Sequence, residues 1–255
     1  MEMQIKKTVK AGNSSAVILP RSWLNKEVRI ELVKKTPEAI LSDVLEILKK
    51  HINSRDIIGI YLVGSYARGD EDKDSDVDLL IITKDTDKTV YDGIYNLTLI
   101  SSELLRQKLE KDLLPIGQMI KEAQPLLNSY YLDSLEVKVT KRNIKWYLDT
   151  TRDKLKLIRK VLEKTKKSQV SDLVIYTLVL RIRTLYLINK LTVDEVYSKK
   201  NFVNLIKEIT NGKESYERYI AIKNDAKDKN IVNVKTAELM VRYLDKQLME
   251  LKRSE

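Results

Sequence analysis

Two aspartates, Asp76 and Asp78, flank a valine at the head of the apolar run Val77–Thr83. If that run is a strand, side chains two residues apart share one face, about 6.6–7 Å apart along the backbone, and both carboxylates can converge on divalent ions between them. Two acids at the mouth of a buried strand are costly unless a cation neutralises them, which favours metal ligation. Just upstream, a second apolar run, Ile57–Val63 (IIGIYLV), ends in Gly64-Ser65. A turn of small residues lets backbone N–H groups approach an anion, while Ser65 adds a hydroxyl donor and Arg68 a fork suited to phosphate oxygens. Together these residues describe phosphate and hard-cation chemistry, in which two ions roughly 3.5–4 Å apart activate an attacking oxygen and steady the phosphorus being displaced. The nearby acids Asp70, Glu71, Asp72 and Asp74 read as solvated loop charges.

Composition closes other routes. The 255 residues include no cysteine and one histidine, His51, which excludes disulfides, thiolate zinc sites, iron–sulfur clusters and cysteine nucleophiles. A single histidine also argues against an all-protein His-metal site or a Ser-His-Asp triad, and His51 reads as a surface residue at a helix end. Metal chemistry must then use oxygen ligands, which favour magnesium or manganese. The net charge of +10 is divided as +5 over 1–36, −6 over 37–114 and +11 over 115–255. Basic flanks concentrate polyanions such as nucleic acids or nucleoside triphosphates, although a lysine-rich solvated helix surface accounts equally well for the C-terminal share. No run approaches the roughly 20 apolar residues of a membrane span and no export signal opens the chain, so a cytoplasmic protein without a membrane partner is expected.

The elements that must position these residues follow from pattern. Gln4–Val9, Ala16–Leu19 and Glu27–Val33 read as short strands, with a turn cluster at 11–15 and a short helix after Pro20. Thr36-Pro37-Glu38 caps a helix whose apolar residues recur from Ile40 to Ile52 at helical spacing. Ile57–Val63, Val77–Thr83 and, more weakly, Ile94–Ser101 read as strands of a buried sheet. After about residue 102 strands are expected to disappear, and amphipathic helices are expected at 102–112, 116–128, 143–165, 169–190, 199–211, 214–228 and 234–252, forming an antiparallel bundle. The expected fold is thus α+β, with segments 1–36, 37–114 and 115–255.

The run G-S-x-A-R-G, five residues, S-D-x-D-L from Gly64 to Leu79 resembles the signature of the DNA polymerase beta superfamily, in particular the minimal and the kanamycin-type nucleotidyltransferases. The resemblance implies a small mixed sheet flanked by helices over roughly 37–114. Gly64, Ser65 and Arg68 would then grip the triphosphate of ATP or another NTP, with Ser75 counted among the nucleotide-binding residues, and Asp76 and Asp78 would bind Mg2+ or Mn2+. It further implies transfer of a nucleoside monophosphate, AMP foremost, to a hydroxyl acceptor. The family places a third, catalytic carboxylate on a neighbouring strand, where this chain has Asn96. An amide oxygen can ligate magnesium but is neutral and a poor base. Either Asp92 or Glu103 substitutes, or the enzyme is slow, or catalysis is lost and nucleotide binding kept.

The stretch KKTVKAGNSSAVILPRSWLNKEVRIELV is similar to the AbrB/MazE-like swapped-hairpin domain, in which two chains interleave into one DNA-binding barrel. The resemblance implies a homodimer, with Lys6, Lys7, Lys10, Arg21, Lys26 and Arg29 meeting the phosphate backbone. About 35 residues with three short strands cannot bury a core alone, which agrees. The C-terminal helices resemble bundles that accompany these transferases, among them a nuclease-bearing type; Arg181 and Arg183 are followed by Asn189 and no histidine, so no RNase activity is expected. Tyr176, Tyr186, Tyr219 and Tyr243 read as core and bundle interface. Two functions fit: a magnesium-dependent nucleotidyltransferase tethered to a DNA-binding dimer module, or a weak or inactive nucleotide-sensing DNA-binding regulator, such as an antitoxin whose partner is a toxin or other protein acceptor.

Overall fold

The computed structural model describes residues 4, 6, 8–30, 35–71, 75–165 and 168–253. The chain divides into two compact units, Met1–Asp43 and Val44–Glu255. In the first, β1 (Val9–Ala11) and β2 (Ser14–Ala16) form an antiparallel hairpin across a turn in which Gly12 has φ +61°. A single 3-10 turn, Arg21–Trp23, follows Pro20. Three expectations change here. The first strand starts only at Val9, residues 4, 6 and 8 of the expected Gln4–Val9 run being irregular. The second strand lies earlier than the apolar run 16–19, because the tight turn pairs Val9 with Ala16 and leaves Ile18 beyond the ladder, 68% exposed. Residues 26–30 are irregular, and the remainder of the expected third strand, 31–33, lies outside the described residues. No described residue before Ile40 is buried, so this unit shows no core of its own there.

Helix α1 (Pro37–Leu48) carries the chain across the division. The second unit then builds β3 (Ile57–Val63), a short α2 (Gly64–Arg68), β4 (Val77–Thr83), β5 (Lys88–Asp92) and β6 (Tyr95–Ser101). Helices α3 (Ser102–Lys111) and α4 (Leu113–Glu122) lead to a fifth strand, β7 (Gln124–Leu127), and a short α5 (Ser129–Asp133). The sheet order is β5-β6-β4-β3-β7, with β4 and β6 parallel and every other pair antiparallel. The inner strands are apolar runs because helices cover their faces: Leu79, Leu80, Ile81 and Ile82 are at most 1% exposed.

Strands therefore do not stop at residue 102. Gln124–Leu127 has little apolar pattern of its own and was expected inside a helix. It becomes an edge strand because β3 offers an unpaired backbone row, and because Asn128, in the left-handed region at φ 62°, turns the chain and caps α5 by accepting from Tyr131 N. Period-two alternation sets one face of the sheet: Tyr61 and Val63 of β3, Leu80 and Ile82 of β4 and Ile100 of β6 pack against Leu105 of α3 and Ile116 and Ile120 of α4.

The rest of the chain is mainly helical: α6 (Lys141–Lys164), α7 (Asp172–Thr192), α8 (Lys199–Thr210), α9 (Glu214–Lys223) and α10 (Val234–Arg253). Their buried residues form one large apolar cluster that also takes Leu113 and Leu114 of α4. Two further two-residue strands, β8 (Gln169–Val170) and β9 (Val232–Asn233), pair before α7 and α10. Of the tyrosines, Tyr176 stacks on Tyr219 at 5.4 Å, and Tyr186 packs beside Phe202 at 5.5 Å within the cluster.

Candidate active site

The site forms where β3 ends and β4 and β6 begin. The register aligns Val63, Asp78 and Asn96 across three strands. Alternation puts Asp78 on the face of Leu80 and Ile82, toward α4, and Asn96 on the face of Ile100. Asn96 Nδ2 consequently donates to Asp78 Oδ1 at 2.9 Å, while Asn96 Oδ1 is buried without a hydrogen-bond partner. Asp76 lies just before β4 and is exposed. Its negative charge still reaches Asp78, whose carboxyl is raised above its usual range first by burial, then by Asp76 and Glu122, against the opposing pull of the Asn96 bond and Arg68.

Gly64 is required twice over. It has φ +70°, and a Cβ there would lie 2.5 Å from Asp78 Oδ2. The turn thus brings the Gly64 backbone close against the Asp78 carboxylate. Ser65 is partly exposed in α2, and Ser75 is partly exposed in the loop before β4.

One acid at this site escaped the sequence reading. Glu122, at the end of α4, accepts from Gly64 N at 2.8 Å, from Arg68 Nη1 at 2.6 Å and from Gln118 Nε2 at 3.1 Å. Its side chain is 5% exposed. Arg68 also donates from Nη2 to Asp70 at 3.1 Å. Burial works against the guanidinium's charge, but Glu122 and Asp70 more than compensate and raise its pKa. Asp70 is therefore a partner of Arg68 rather than a solvated loop charge. No local motif marks Glu122: it lies 54 residues from Arg68 in sequence, and only the packing of α4 on β3 and β4 brings the two together.

The two proposed substitutes for a third carboxylate occupy different places. Glu103 follows β6 at the end opposite Asn96; the strand advances about 17 Å between Asn96 and Ser101, which removes Glu103 from the site. Asp92 sits at the near end of β5, exposed, with an oxygen 3.7 Å from Lys50 Nζ. Among the described residues no group of three or more His, Asp or Glu is arranged to hold a metal ion; Asp72 and Asp74 lie outside them. The donors present nevertheless suit a hard cation: two carboxylates, one of them raised in pKa by burial and then by the charge of the other, beside a buried amide oxygen with no partner.

A family model described as "Nucleotidyltransferase domain" matches residues 41–194. The chain belongs to the nucleotidyltransferase domain family. The match runs from within α1 through the sheet to just past the end of α7, well beyond the stretch that carries the signature residues. No curated protein matches the chain. Among solved structures, the spectinomycin adenyltransferase AAD(9) from Enterococcus faecialis, crystallised with ATP and spectinomycin, is similar at 13% identity and a TM-score of 0.43, with 82% of this chain and 98% of that one covered. A nucleotidyltransferase-like protein from Exiguobacterium sibiricum is similar at 15% identity and a TM-score of 0.39, covering 84% of this chain and 74% of that one.

Of the N-terminal residues expected to meet DNA, Lys6, Lys10, Arg21, Lys26 and Arg29 are all exposed, and Lys7 lies outside the described residues. No helix among the described residues is long and apolar enough to cross a membrane.

Proposed function

We propose that the protein transfers a nucleoside monophosphate, AMP from ATP in the first instance, to a hydroxyl acceptor, with Asp76, Asp78 and Asn96 at the reacting centre. The observation that carries this reading is the alignment of Asp78 with Asn96 across parallel strands, with the Gly64 turn against the same carboxylate. The acceptor oxygen attacks the α-phosphorus, the new O–P bond replaces the bond to the bridging oxygen, pyrophosphate leaves with the electron pair and the hydroxyl proton passes to solvent. Asp76 and Asp78, with Asn96 Oδ1, would hold Mg2+ or Mn2+, which neutralises phosphate charge and activates the attacking oxygen. Gly64 N–H, the Ser65 hydroxyl and Arg68 would bind the triphosphate, with Ser75 beside them; Glu122 must yield Gly64 N–H and Arg68 to the phosphates, or share them. Asn96 cannot serve as a base at neutral pH, so slow turnover is expected.

Calorimetry on the full-length protein tests this. Magnesium-dependent ATP binding is expected, with pyrophosphate release, and Asp78→Ala should reduce both at least about 100-fold, since even outer-shell partners of a metal ligand cost about 10–100-fold. ATP binding that ignores magnesium, with Asp78→Ala indistinguishable from the natural chain, would overturn the assignment. Binding without turnover would favour the alternative of a nucleotide-sensing regulator.

The second part of the proposal is that the N-terminal segment pairs with a second copy and binds DNA. Its exposed apolar side chains support this: Ile18, Leu24 and Ile30 are each about two-thirds exposed or more, at 68%, 72% and 67%. Five exposed basic residues lie on the same short segment.

A further inference from the structure

Arg68 is held in two ways that do different things. Its N–H groups donate at the edges of the guanidinium, to Asp70 at 3.1 Å and 3.3 Å and to Glu122 at 2.6 Å. The guanidinium also lies over the ring of Tyr197, its carbon 5.4 Å from the ring centroid. Tyr197 belongs to the segment between α7 and α8, far along the chain from the signature residues. Arg68, Asp70, Glu122 and Tyr197 share the wall of a cleft of about 830 Å3, so the contact adjoins open space that a ligand can enter.

The ring is a fixed platform. It packs beside Phe202 at 6.2 Å and edge-on to Tyr186 at 6.0 Å, within the helical apolar cluster, and Tyr197 is 8% exposed. Burial pushes the Tyr197 phenol up to about 12. The group is therefore neutral at physiological pH, and it attracts a cation through the negative face of its π system rather than as a phenolate. A second guanidinium, that of Arg183 on α7, lies over the same ring, also at 5.4 Å, with its Nε buried and without a hydrogen-bond partner.

The two kinds of contact respond differently to a nucleotide. Phosphate oxygens compete for the same N–H groups that Glu122 and Asp70 now occupy, and like charge repels these acids from the phosphates. A stacked face spends no N–H and survives that exchange. Without it, an arginine released by its acids would regain its rotamer freedom and lose it again on binding phosphate, at a cost in affinity. Resting on the transferase reading, we propose that Tyr197 is a positioning residue for nucleotide binding: its ring holds the Arg68 guanidinium in place while the acids at its edges give way to the triphosphate.

The test keeps the shape of the ring and changes its charge distribution. Tyr197→Phe retains the negative face, whereas replacing Tyr197 by 3,4,5-trifluorophenylalanine withdraws it at nearly constant size. In full-length protein, magnesium–ATP affinity measured by calorimetry is expected to stay within about twofold for Tyr197→Phe and to fall about fivefold for the fluorinated ring, the scale of a cation–π contact. The loss should recur in an Arg183→Leu background, because it runs through Arg68. Equal affinity for the two rings overturns the inference, and so does a loss that vanishes once Arg183 is removed. Loss of ATP binding in Arg183→Leu alone also overturns it, since Arg183 itself would then hold the phosphates. In these three cases the natural chain still binds ATP and the transferase reading stands; a natural chain that binds no ATP overturns both.

Discussion

Asp78, one of the proposed metal ligands, is held at a cost to the fold. Its carboxyl is raised by burial and by the charges of Asp76 and Glu122. A carboxyl whose folded-state pKa lies above its unfolded value binds its proton more tightly in the native state, so its favourable contribution is present at acid pH and is lost as pH climbs through the folded value. At neutral pH the ionised group is therefore a burden on the protein without divalent cation. Asp78→Asn should raise the melting temperature at pH 7 in EDTA by about 2 °C, within the gain of ~1 kcal/mol common when strain at a functional site is relieved. The gain should shrink at pH 4, and magnesium-dependent ATP binding should disappear. A fluorescence melt at both pH values decides it: a lower melting temperature at pH 7 would show that the Asn96 bond outweighs the burial of charge. Gly64 reflects the same economy of space, since any side chain there meets Asp78.

Among elements, β7 is the one that sequence patterns hid. Besides its ladder with β3, it is held by Asn128, which accepts from Tyr131 N, donates from Nδ2 to Ile58 O at 2.8 Å, and receives the Tyr61 hydroxyl at its carbonyl at 2.9 Å. Asn128→Ala removes the helix cap and places alanine in the left-handed region, which should destabilise the protein by about 2 kcal/mol. Asn128→Gly keeps the backbone conformation and should cost about half as much. Urea unfolding of the two variants measures the difference, and equal losses would show that the backbone conformation contributes nothing. Helix α4 matters for a related reason. Its apolar residues pack on the sheet, and its last residue delivers Glu122 to Arg68 and Gly64.

Across the second unit, the helices are tied to one another by a buried ion pair. Asp172 at the start of α7 is fully buried and accepts from Arg218 of α9 at 2.6 Å and 2.8 Å, and from Lys229 N at 2.7 Å. Removing one member leaves the other charged and desolvated, so Asp172→Asn should cost about 3–5 kcal/mol. A Leu or Ile to Ala change in the apolar cluster has a comparable range, about 2–5 kcal/mol. Chemical denaturation should therefore show a much lower midpoint for Asp172→Asn than for an exposed control such as Asp153→Asn; equal midpoints would mean that the pair adds no stability.

The sequence by itself determined the inner strands, the long helices and the signature residues, because apolar periodicity and glycine turns act over a few residues. The spacing of Asp76 and Asp78 and the turn at Gly64 were legible for that reason. Tertiary structure alone decided that Gln124–Leu127 is a strand, that Glu103 stands far from Asn96, that Glu122 sits on Arg68 and Gly64, and that Arg68 lies over the ring of Tyr197. Each depends on contacts between residues distant in the chain. Backbone pairing at an open sheet edge and the burial of helices against sheet create those contacts, and local sequence carries little record of either.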